Sequence, residues 1–449
     1  MKLISRLIVG ATLAAGGAFL LHPLQASESI RIASLRTPAE PIAAHRADEV
    51  VVQFRNQVED RDVSRVTRES GADRVRRGRS RGRYLMHLDA GFTVAEALDR
   101  LRARPEVEYA EPNAIFRASQ VRRVTANDTF FNAQWHLEMV DAPRTWAIQS
   151  GDPSVVVAVL DTGIAYEDFG PYRKAPDFGT TVFVQGFDFI NNDTHANDDN
   201  FHGTHVASVI AESTNNAIGG AGLAFGTALM PVKVLDAEGV GDTFSIAEGI
   251  DFAAENQAVK VINMSLGGGG NSSSIANAVT RAVGRGVTVV AAAGNDGEGT
   301  VSFPASLANV IAVGAIDGRK QKTPYSNFGS ALDVVAPGGD IRRDDTGPGQ
   351  RPDGRPDGIL QQTFDPDTAA ERGRYDDFAY FFVVGTSQAC PHVAALAALL
   401  YRQGITDPSA IQASIQSTAE DLGPAGRDNT FGHGLLRPSV ALTGLGLNR

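Results

Sequence analysis

Residues 383–400, VVGTSQACPHVAALAALL, decide how the rest of the chain is interpreted. They read as the end of a buried strand, a tight Gly-Thr-Ser turn and an apolar helix. Ser387 therefore comes at the start of a helix, where backbone N–H groups and the helix dipole favour negative charge. A serine at such a place is most often only a helix cap, so a catalytic role needs support from other segments.

The chain from Trp135 onward alternates apolar strands with helices. The predicted strands are continuous apolar runs, as in a parallel sheet covered on both faces, at 154–160, 229–235, 259–264, 287–293, 310–316 and 332–336. The helices between them are predicted at 202–212, 243–255, 273–284 and 388–403. This series predicts an α/β fold with a doubly wound, mostly parallel sheet and helices on both of its faces.

A smaller unit of different character precedes this body, which we assign to residues 119–449. The predicted elements of residues 48–118 are 49–54, 55–71, 82–88 and 93–104, followed by short extended pieces at 107–110 and 115–116. Thr93 and Glu96 form a capping box at the start of the second helix. The unit is therefore predicted to be a small α+β domain, with Arg74–Arg83 as a solvated loop and residues 27–47 as a polar linker.

The N-terminal residues 1–26 are typical of a secretory signal. Lys2 and Arg6 precede an apolar run over 7–21 that is short for a membrane-spanning helix. We expect removal after Ala26 and an extracellular or periplasmic product. The alternative is an uncleaved membrane anchor.

Charge and cysteine content limit the partners and the bonds of this chain. The formal net charge of −11 argues against nucleic acid as the main partner. The single cysteine, Cys390, excludes an intrachain disulfide. Without a disulfide, stability must come from the core, to which bound ions could add. We expect a monomer without stable membrane association once the signal is removed.

Polar residues follow the predicted strands at the sheet edge where ligands bind in doubly wound folds. Asp161 follows the first strand, His202 opens a helix, Asn295 follows a later strand and Ser387 follows the last. A nucleophilic serine needs a base, the base needs an orienting carboxylate, and the developing oxyanion needs fixed donors. These residues supply one of each, although each alone could be an ordinary turn or helix-end residue.

Five segments carry a resemblance to a known family: VAVLDTGI, HGTHVAS, VINMSLGG, AAAGND and GTSQACPHVAA. In this order they resemble the motifs of the subtilisin-like serine proteases. The resemblance extends over 128–442, and residues 49–117 resemble the inhibitory prodomain of that family. It implies a secreted serine endopeptidase that is made as an autoprocessed zymogen, with polypeptide substrates and its own prodomain as inhibitor.

The resemblance assigns roles to individual residues. It makes Ser387 the nucleophile, His202 rather than His205 the base, Asp161 the orienting carboxylate and Asn295 the oxyanion donor. The Asp-His-Ser order and the asparagine donor are known features of subtilisin itself. Loss of one such donor typically costs roughly a hundred- to a thousandfold in rate.

Substrate and metal sites are implied in the same way. The implied substrate-binding residues are Ser265, Leu266, Gly267, Ala293, Gly294, and Gly239 and Gly241 on a segment that adds the substrate as a strand. The implied calcium ligands are the carboxylates of Asp128 and Asp177, the side chain of Asn216 and the carbonyls of Thr214, Ile218 and Gly220. An unliganded polar loop is the alternative.

Two departures from the family pattern and two rival functions complete the interpretation. Gln388 stands where many members have methionine, and Cys390, which we interpret as a buried small hydrophobe, stands where serine, threonine or alanine is usual. Residues 340–358 are predicted to be a flexible surface loop, with a second calcium site as the alternative. An α/β-hydrolase esterase is disfavoured, because Ala389 replaces the required glycine and Ser387 comes last. A catalytically inactive binding protein is the remaining rival.

Overall fold

The computed structural model describes residues 7–9, 45–55, 58–114, 123–268, 270–341 and 356–444. It divides into two compact units, one of residues 27–121 and one of residues 1–26 together with 122–449. Most of the predicted signal segment and linker lies outside the described residues. Within the described ranges, no helix combines the length and the apolar character that crossing a membrane requires.

The elements are numbered here in chain order. The strands are β1 (Leu7–Val9), β2 (His45–Phe54), β3 (Ala72–Arg77), β4 (Arg83–Leu88), β5 (Val107–Ala114), β6 (Val156–Asp161), β7 (Phe187–Asp188), β8 (Ala228–Lys233), β9 (Val259–Met264), β10 (Thr288–Ala292), β11 (Val310–Ile316), β12 (Val334–Pro337), β13 (Ile359–Phe364) and β14 (Phe378–Val384). The helices are α1 (Asp60–Glu69), α2 (Val94–Arg102), α3 (Trp135–Met139), α4 (Ala142–Trp146), α5 (His202–Ala211), α6 (Thr243–Glu255), α7 (Ser273–Gly284), α8 (Pro366–Arg372), α9 (Thr386–Arg402), α10 (Pro408–Thr418) and α11 (Pro438–Gly444).

The smaller unit is an antiparallel sheet in the order β3-β4-β2-β5, covered by α1 and α2. The predicted capping box is present, with the Glu96 N–H donating to Thr93 Oγ1 at 3.2 Å and the Thr93 N–H donating to Glu96 Oε2 at 2.9 Å. The loop predicted for Arg74–Arg83 is wrong in part, because β3 occupies its first residues. As an edge strand exposed along most of its length, β3 lacks the alternation that reveals a half-buried strand.

The larger unit is built on a seven-stranded sheet in the order β12-β11-β10-β9-β6-β8-β7, and each recorded pairing is parallel. Every residue of β6, β8, β10 and β11 is buried, as expected for strands covered on both faces. Helices α5 and α9 pack against each other, as do α6 and α7, and both pairs contact the sheet. The predicted α/β fold is confirmed.

The chain reverses its direction across the sheet at β6. From β6 it runs outward to β7, returns through β8 and then continues on the other side with β9. The carboxyl end of β6 is therefore the switch point, where open α/β sheets bind their ligands. Asp161 is the last residue of this strand.

A second, three-stranded sheet in the order β1-β14-β13 leads the chain into α9. β13 pairs antiparallel with β14 and is buried throughout, although the sequence did not reveal it. The flexible surface loop predicted for residues 340–358 is wrong at both ends, because Asp340 and Asp357 are buried. Residues 342–355 lie outside the described ranges.

Candidate active site

Asp161 and His202 meet at the switch point of the sheet. The Nδ1–H group of His202, the first residue of α5, donates to Asp161 Oδ1 at 2.7 Å. Asp161 is fully buried, and the Thr162 N–H also donates to its Oδ1, at 2.8 Å. Because the carboxylate accepts from Nδ1, the proton of the neutral ring is held there and Nε2 keeps its lone pair.

The surroundings of His202 favour its charged form. Burial by itself would lower the pKa of this imidazole, but the negative charge of Asp161 and its hydrogen bond outweigh burial, and the pKa lies above its ordinary value. A third contribution comes from the charge of Asp198. An imidazole whose cation is stabilised in this way can accept and hold a proton during a reaction.

Asp198 is a buried carboxylate that holds the start of α5 in place. It accepts hydrogen bonds from Thr162 Oγ1 at 2.9 Å, from Thr204 Oγ1 at 2.6 Å and from the Phe201 N–H at 3.0 Å. Phe201 has φ of 118°, a rare conformation for a residue with a Cβ. Asp198 therefore fixes the strained residue that precedes His202.

Lys233 completes this support from the neighbouring strand. Its ammonium group donates to Asp199 at 2.6 Å and to the Thr162 carbonyl at 2.7 Å, although the side chain is almost fully buried. Sequence analysis did not predict this ion pair. A lysine at the end of the apolar strand β8 was the signal that could have revealed it.

Ser387 lies in the first turn of α9 and contacts the end of β9. Its hydroxyl donates to the Ser265 carbonyl at 3.0 Å, and the Ser265 hydroxyl donates to the Ser387 carbonyl at 2.8 Å. Within the described residues, no hydrogen bond joins the Ser387 hydroxyl to His202. In this conformation the hydroxyl is directed to the Ser265 carbonyl.

The side chain of Asn295 is anchored by the residue before Ser387. Its Oδ1 accepts from the N–H and from the hydroxyl of Thr386, both at 2.9 Å. This leaves its amide nitrogen directed away from Thr386. A Cβ at Gly385 would lie 3.8 Å from Asn295 Nδ2 and 3.6 Å from the Ser387 nitrogen, so both candidate oxyanion donors face one small space.

The predicted substrate walls are joined through the segment Ser302–Phe303. The Gly268 N–H donates to the Phe303 carbonyl at 2.9 Å, and the Ser302 N–H donates to the Ala293 carbonyl at 2.8 Å. Residues 265–268 and 293–294 therefore lie on either side of this segment. At Gly294, φ is 106° and a Cβ would collide with Ser302, so only glycine fits there.

The predicted strand-adding segment forms a turn. The Asp236 side chain accepts from the Val240 N–H at 2.8 Å, and the Gly239 N–H donates to the Asp236 carbonyl at 3.0 Å. Asn200 ties this turn to the start of α5 by donating to the Ala237 carbonyl at 2.8 Å. These bonds engage the backbone of Gly239 and Val240, which leaves Gly241 for any pairing with substrate.

The predicted calcium residues come together around loop 214–220. Asp128 accepts from the backbone N–H groups of Asn215 and Asn216 at 2.9 and 3.1 Å. Asp177 accepts from Asn216 Nδ2 at 2.6 Å and from Tyr380 at 2.9 Å. The Asn216 amide presents its nitrogen to Asp177, so a ligand role for its oxygen requires the amide to turn.

Three carboxylates near this loop are buried. Burial is the main cause that raises the pKa of Asp128, Asp177 and Glu212, that of Asp177 to about 6, and in each case the hydrogen bonds oppose it. None of them forms an ion pair with a lysine or arginine of the described residues, and Glu212 Oε2 has no hydrogen-bond partner there.

The donor set of the loop suits a hard cation. Within the described ranges, no three Asp, Glu, His or Cys side chains are arranged as a metal cluster. The carbonyl oxygens of Thr214, Ile218 and Gly220, however, accept no hydrogen bond from those residues. Calcium prefers carboxylate and carbonyl oxygens in such mixtures, so the loop fits calcium.

Comparisons with known proteins show which family the chain belongs to. Residues 152–434 match the model of the subtilase family, and residues 33–113 match that of the fervidolysin N-terminal prodomain. A thermophilic serine proteinase of Bacillus sp. (strain AK1) is 35% identical, over 97% of this chain and 98% of its own. An extracellular protease of Xanthomonas campestris pv. campestris is 33% identical, over 81% of this chain and 64% of its own.

A solved structure described as proteases from Pseudoalteromonas arctica is 31% identical, with a TM-score of 0.61 over 71% of this chain and 99% of its own. The family model covers more than half of the chain, and the Bacillus relative is matched along nearly all of its length. The chain therefore belongs to the subtilase family of serine endopeptidases and carries a prodomain at its N-terminal side.

Proposed function

We propose that this endopeptidase works through a triad of Ser387, His202 and Asp161, with Asn295 at the oxyanion, and that it is an exported precursor that cuts itself. The observation that carries the proposal is the 2.7 Å hydrogen bond from His202 Nδ1 to the buried Asp161 at the switch point of the sheet. This bond leaves Nε2 as the only ring nitrogen with a lone pair, as a general base requires.

The reaction begins with a change of the Ser387 rotamer. The hydroxyl leaves the Ser265 carbonyl and turns to His202 Nε2, a motion about one side-chain torsion. Nε2 takes the hydroxyl proton while Oγ bonds to the carbonyl carbon of the substrate, and the π electron pair moves onto the carbonyl oxygen. The Ser387 N–H and the Asn295 amide donate to that oxyanion.

The tetrahedral intermediate then collapses. The C–N bond breaks, and His202 gives its proton to the departing amine. Water, deprotonated by the same nitrogen, attacks the ester that links the acyl group to Ser387. The acid product leaves, and His202 returns the proton to the Ser387 oxygen. Asp161 keeps its negative charge throughout and stabilises the imidazolium.

A serine-directed label separates this proposal from an inactive binding protein. We expect a fluorophosphonate to label the processed enzyme once, on the peptide that contains Ser387, and to stop its digestion of casein in proportion. As a control, peptide mapping should find no label on Ser265. Its hydroxyl contacts Ser387, but within the described residues it forms no hydrogen bond to a base. Labelling at another serine, or casein digestion that persists after complete labelling, contradicts the assignment.

Export and self-processing form the second part of the proposal. The apolar run over 7–21 and a relative named extracellular protease support export. Residues 48–118 would act as an internal inhibitor until the chain is cut within 116–126. Most of that stretch lies outside the described residues.

Calcium removal should lower thermal stability. We propose that an ion at loop 214–220 is held by Asp128, Asp177 and the carbonyls of the loop, and that it supplies the charge that compensates the buried carboxylates. A ligand present at about a hundred times its dissociation constant stabilises by ~2.7 kcal/mol. For a domain of this size we expect chelation to lower Tm by about 4 °C, measured by calorimetry.

Matched variants assign that shift to the loop. Asp128→Asn should lose most of the response to chelator, since it removes one carboxylate from the site. Asp251→Asn removes a partly exposed carboxylate that pairs with Arg281 and should keep the response. An equal Tm with and without chelator in the wild-type enzyme refutes the calcium proposal.

A further inference from the structure

We propose that Gln388 is a further catalytic residue, whose side-chain amide donates a third hydrogen bond to the oxyanion. The inference rests on the proposed triad, since it needs Ser387 as the nucleophile. Gln388 follows Ser387 in the first turn of α9 and is fully buried. Neither the family motifs nor the hydrogen-bonded network around His202 assigns this side chain a role.

The amide of Gln388 is buried without a hydrogen bond. Within the described residues, neither Nε2 nor Oε1 of this side chain has a partner. A buried amide left unpaired is costly for the folded state, because it gives up its bonds to water. A methionine or leucine would fill the same volume without that cost, so the polar group points to a role that begins when substrate is bound.

The side chain turns back over Gly385. Long side chains of a helix lie over the turn that precedes them, and a Cβ at Gly385 would lie 2.8 Å from Gln388 Oε1. The same point lies 3.6 Å from the Ser387 nitrogen and 3.8 Å from Asn295 Nδ2. The missing side chain of Gly385 therefore leaves a space bordered by both proposed oxyanion donors and by the Gln388 amide.

A half-turn of the amide presents its donor to this space. Rotation about the terminal torsion exchanges Oε1 and Nε2, and it breaks no hydrogen bond to the described part of the chain, because neither atom has one there. When Ser387 Oγ bonds to the carbonyl carbon, the electron pair of the C=O bond moves to oxygen, and the Nε2–H group donates to it without transfer of the proton. The negative charge selects the donor orientation of the amide.

The test compares ligands that do and do not form the tetrahedral adduct. A peptide aldehyde adds the serine hydroxyl and places an oxygen at the oxyanion position, whereas the matching peptide alcohol cannot. We expect Gln388→Met to weaken aldehyde binding and kcat by about tenfold or more, toward the hundredfold of a full donor. Alcohol binding should stay within about twofold of the wild-type value.

Four further variants sharpen the comparison. Gln388→Glu keeps the shape and faces the oxyanion with a carboxylate once the new carboxyl is ionised, so its aldehyde affinity should fall further as the pH rises. Asn295→Ala is the positive control for a lost donor. Cys390→Ala changes a buried neighbour on the same helix and should keep the wild-type ratio of aldehyde to alcohol affinity. Gln388→Leu repeats the loss with a second apolar side chain.

The outcomes separate the proposal from a structural role and from failure of the triad. Gln388→Met should unfold at the wild-type Tm or above it, because it removes an unpaired buried amide. Equal weakening of aldehyde and alcohol by Gln388→Met, or aldehyde binding by that variant with the wild-type affinity, overturns the proposal. A wild-type enzyme that fails to react with fluorophosphonate at Ser387 instead refutes the triad.

Discussion

Ser387→Ala is expected to abolish peptide hydrolysis and to leave the chain as an uncut precursor. The variant keeps the fold, because the lost hydroxyl makes a single hydrogen bond to the Ser265 carbonyl. It removes the only atom that can attack in the proposed mechanism. The expected loss in kcat is on the order of a millionfold, the magnitude known for subtilisin itself.

N-terminal sequencing of the purified product measures this result. Wild-type protein should begin within residues 116–126, whereas the Ser387→Ala protein should retain residues 48–118. Ser414→Ala removes another buried hydroxyl, on α10, and should be processed like the wild type. If purified Ser387→Ala precursor cuts itself at the wild-type bond, Ser387 is not the nucleophile.

His202→Ala should lose activity to a similar extent, whereas His205→Ala should not. The two histidines are three residues apart on α5 but lie in different surroundings. His205 is fully buried, and its Nε2–H donates to the carbonyls of Ile359 and Phe381 at 3.1 and 3.3 Å. Burial, reinforced by the charge of His202, lowers the pKa of His205 to about 3, so it stays neutral and structural.

Turnover of a chromogenic peptide and urea unfolding, measured together, separate these roles. His202→Ala should lose kcat on the order of a millionfold, again the magnitude known for subtilisin. His205→Ala should keep measurable kcat but lose about 1–3 kcal/mol of stability for the unpaired carbonyls. His205→Gln retains a hydrogen-bond donor and should recover part of the lost stability. Activity that survives in His202→Ala but not in His205→Gln refutes the assignment.

The sequence predicts the parts of this fold that depend on local pattern. The continuous apolar runs predicted the strands of the parallel sheet, because strands covered on both faces are apolar along their whole length. β13 was not predicted, because Gln361 and Gln362 interrupt its apolar pattern. Both side chains are nevertheless buried and hydrogen-bonded. β3 was not predicted either, because an edge strand need not alternate polar and apolar residues.

The candidate site also has some features that the sequence predicts and others that it does not. The positions of Asp161 and His202 at element ends are local features, and the structure joins these two side chains directly. The contacts of Asp198 with Thr162 and Thr204 depend on segments that meet only in the folded chain. No sequence pattern predicts the rotamer that turns the Ser387 hydroxyl to Ser265.

β14 connects the proposed calcium site with the turn that precedes the nucleophile. Tyr380, inside the strand, donates to Asp177 at 2.9 Å, and the strand ends at Val384, directly before the Gly385 turn. A substitution that loosens or stiffens the Tyr380 contact also displaces the backbone that leads to the nucleophile. Selection for heat resistance at this contact should therefore change turnover too, and variants evolved for either trait should accumulate substitutions along the same seven residues.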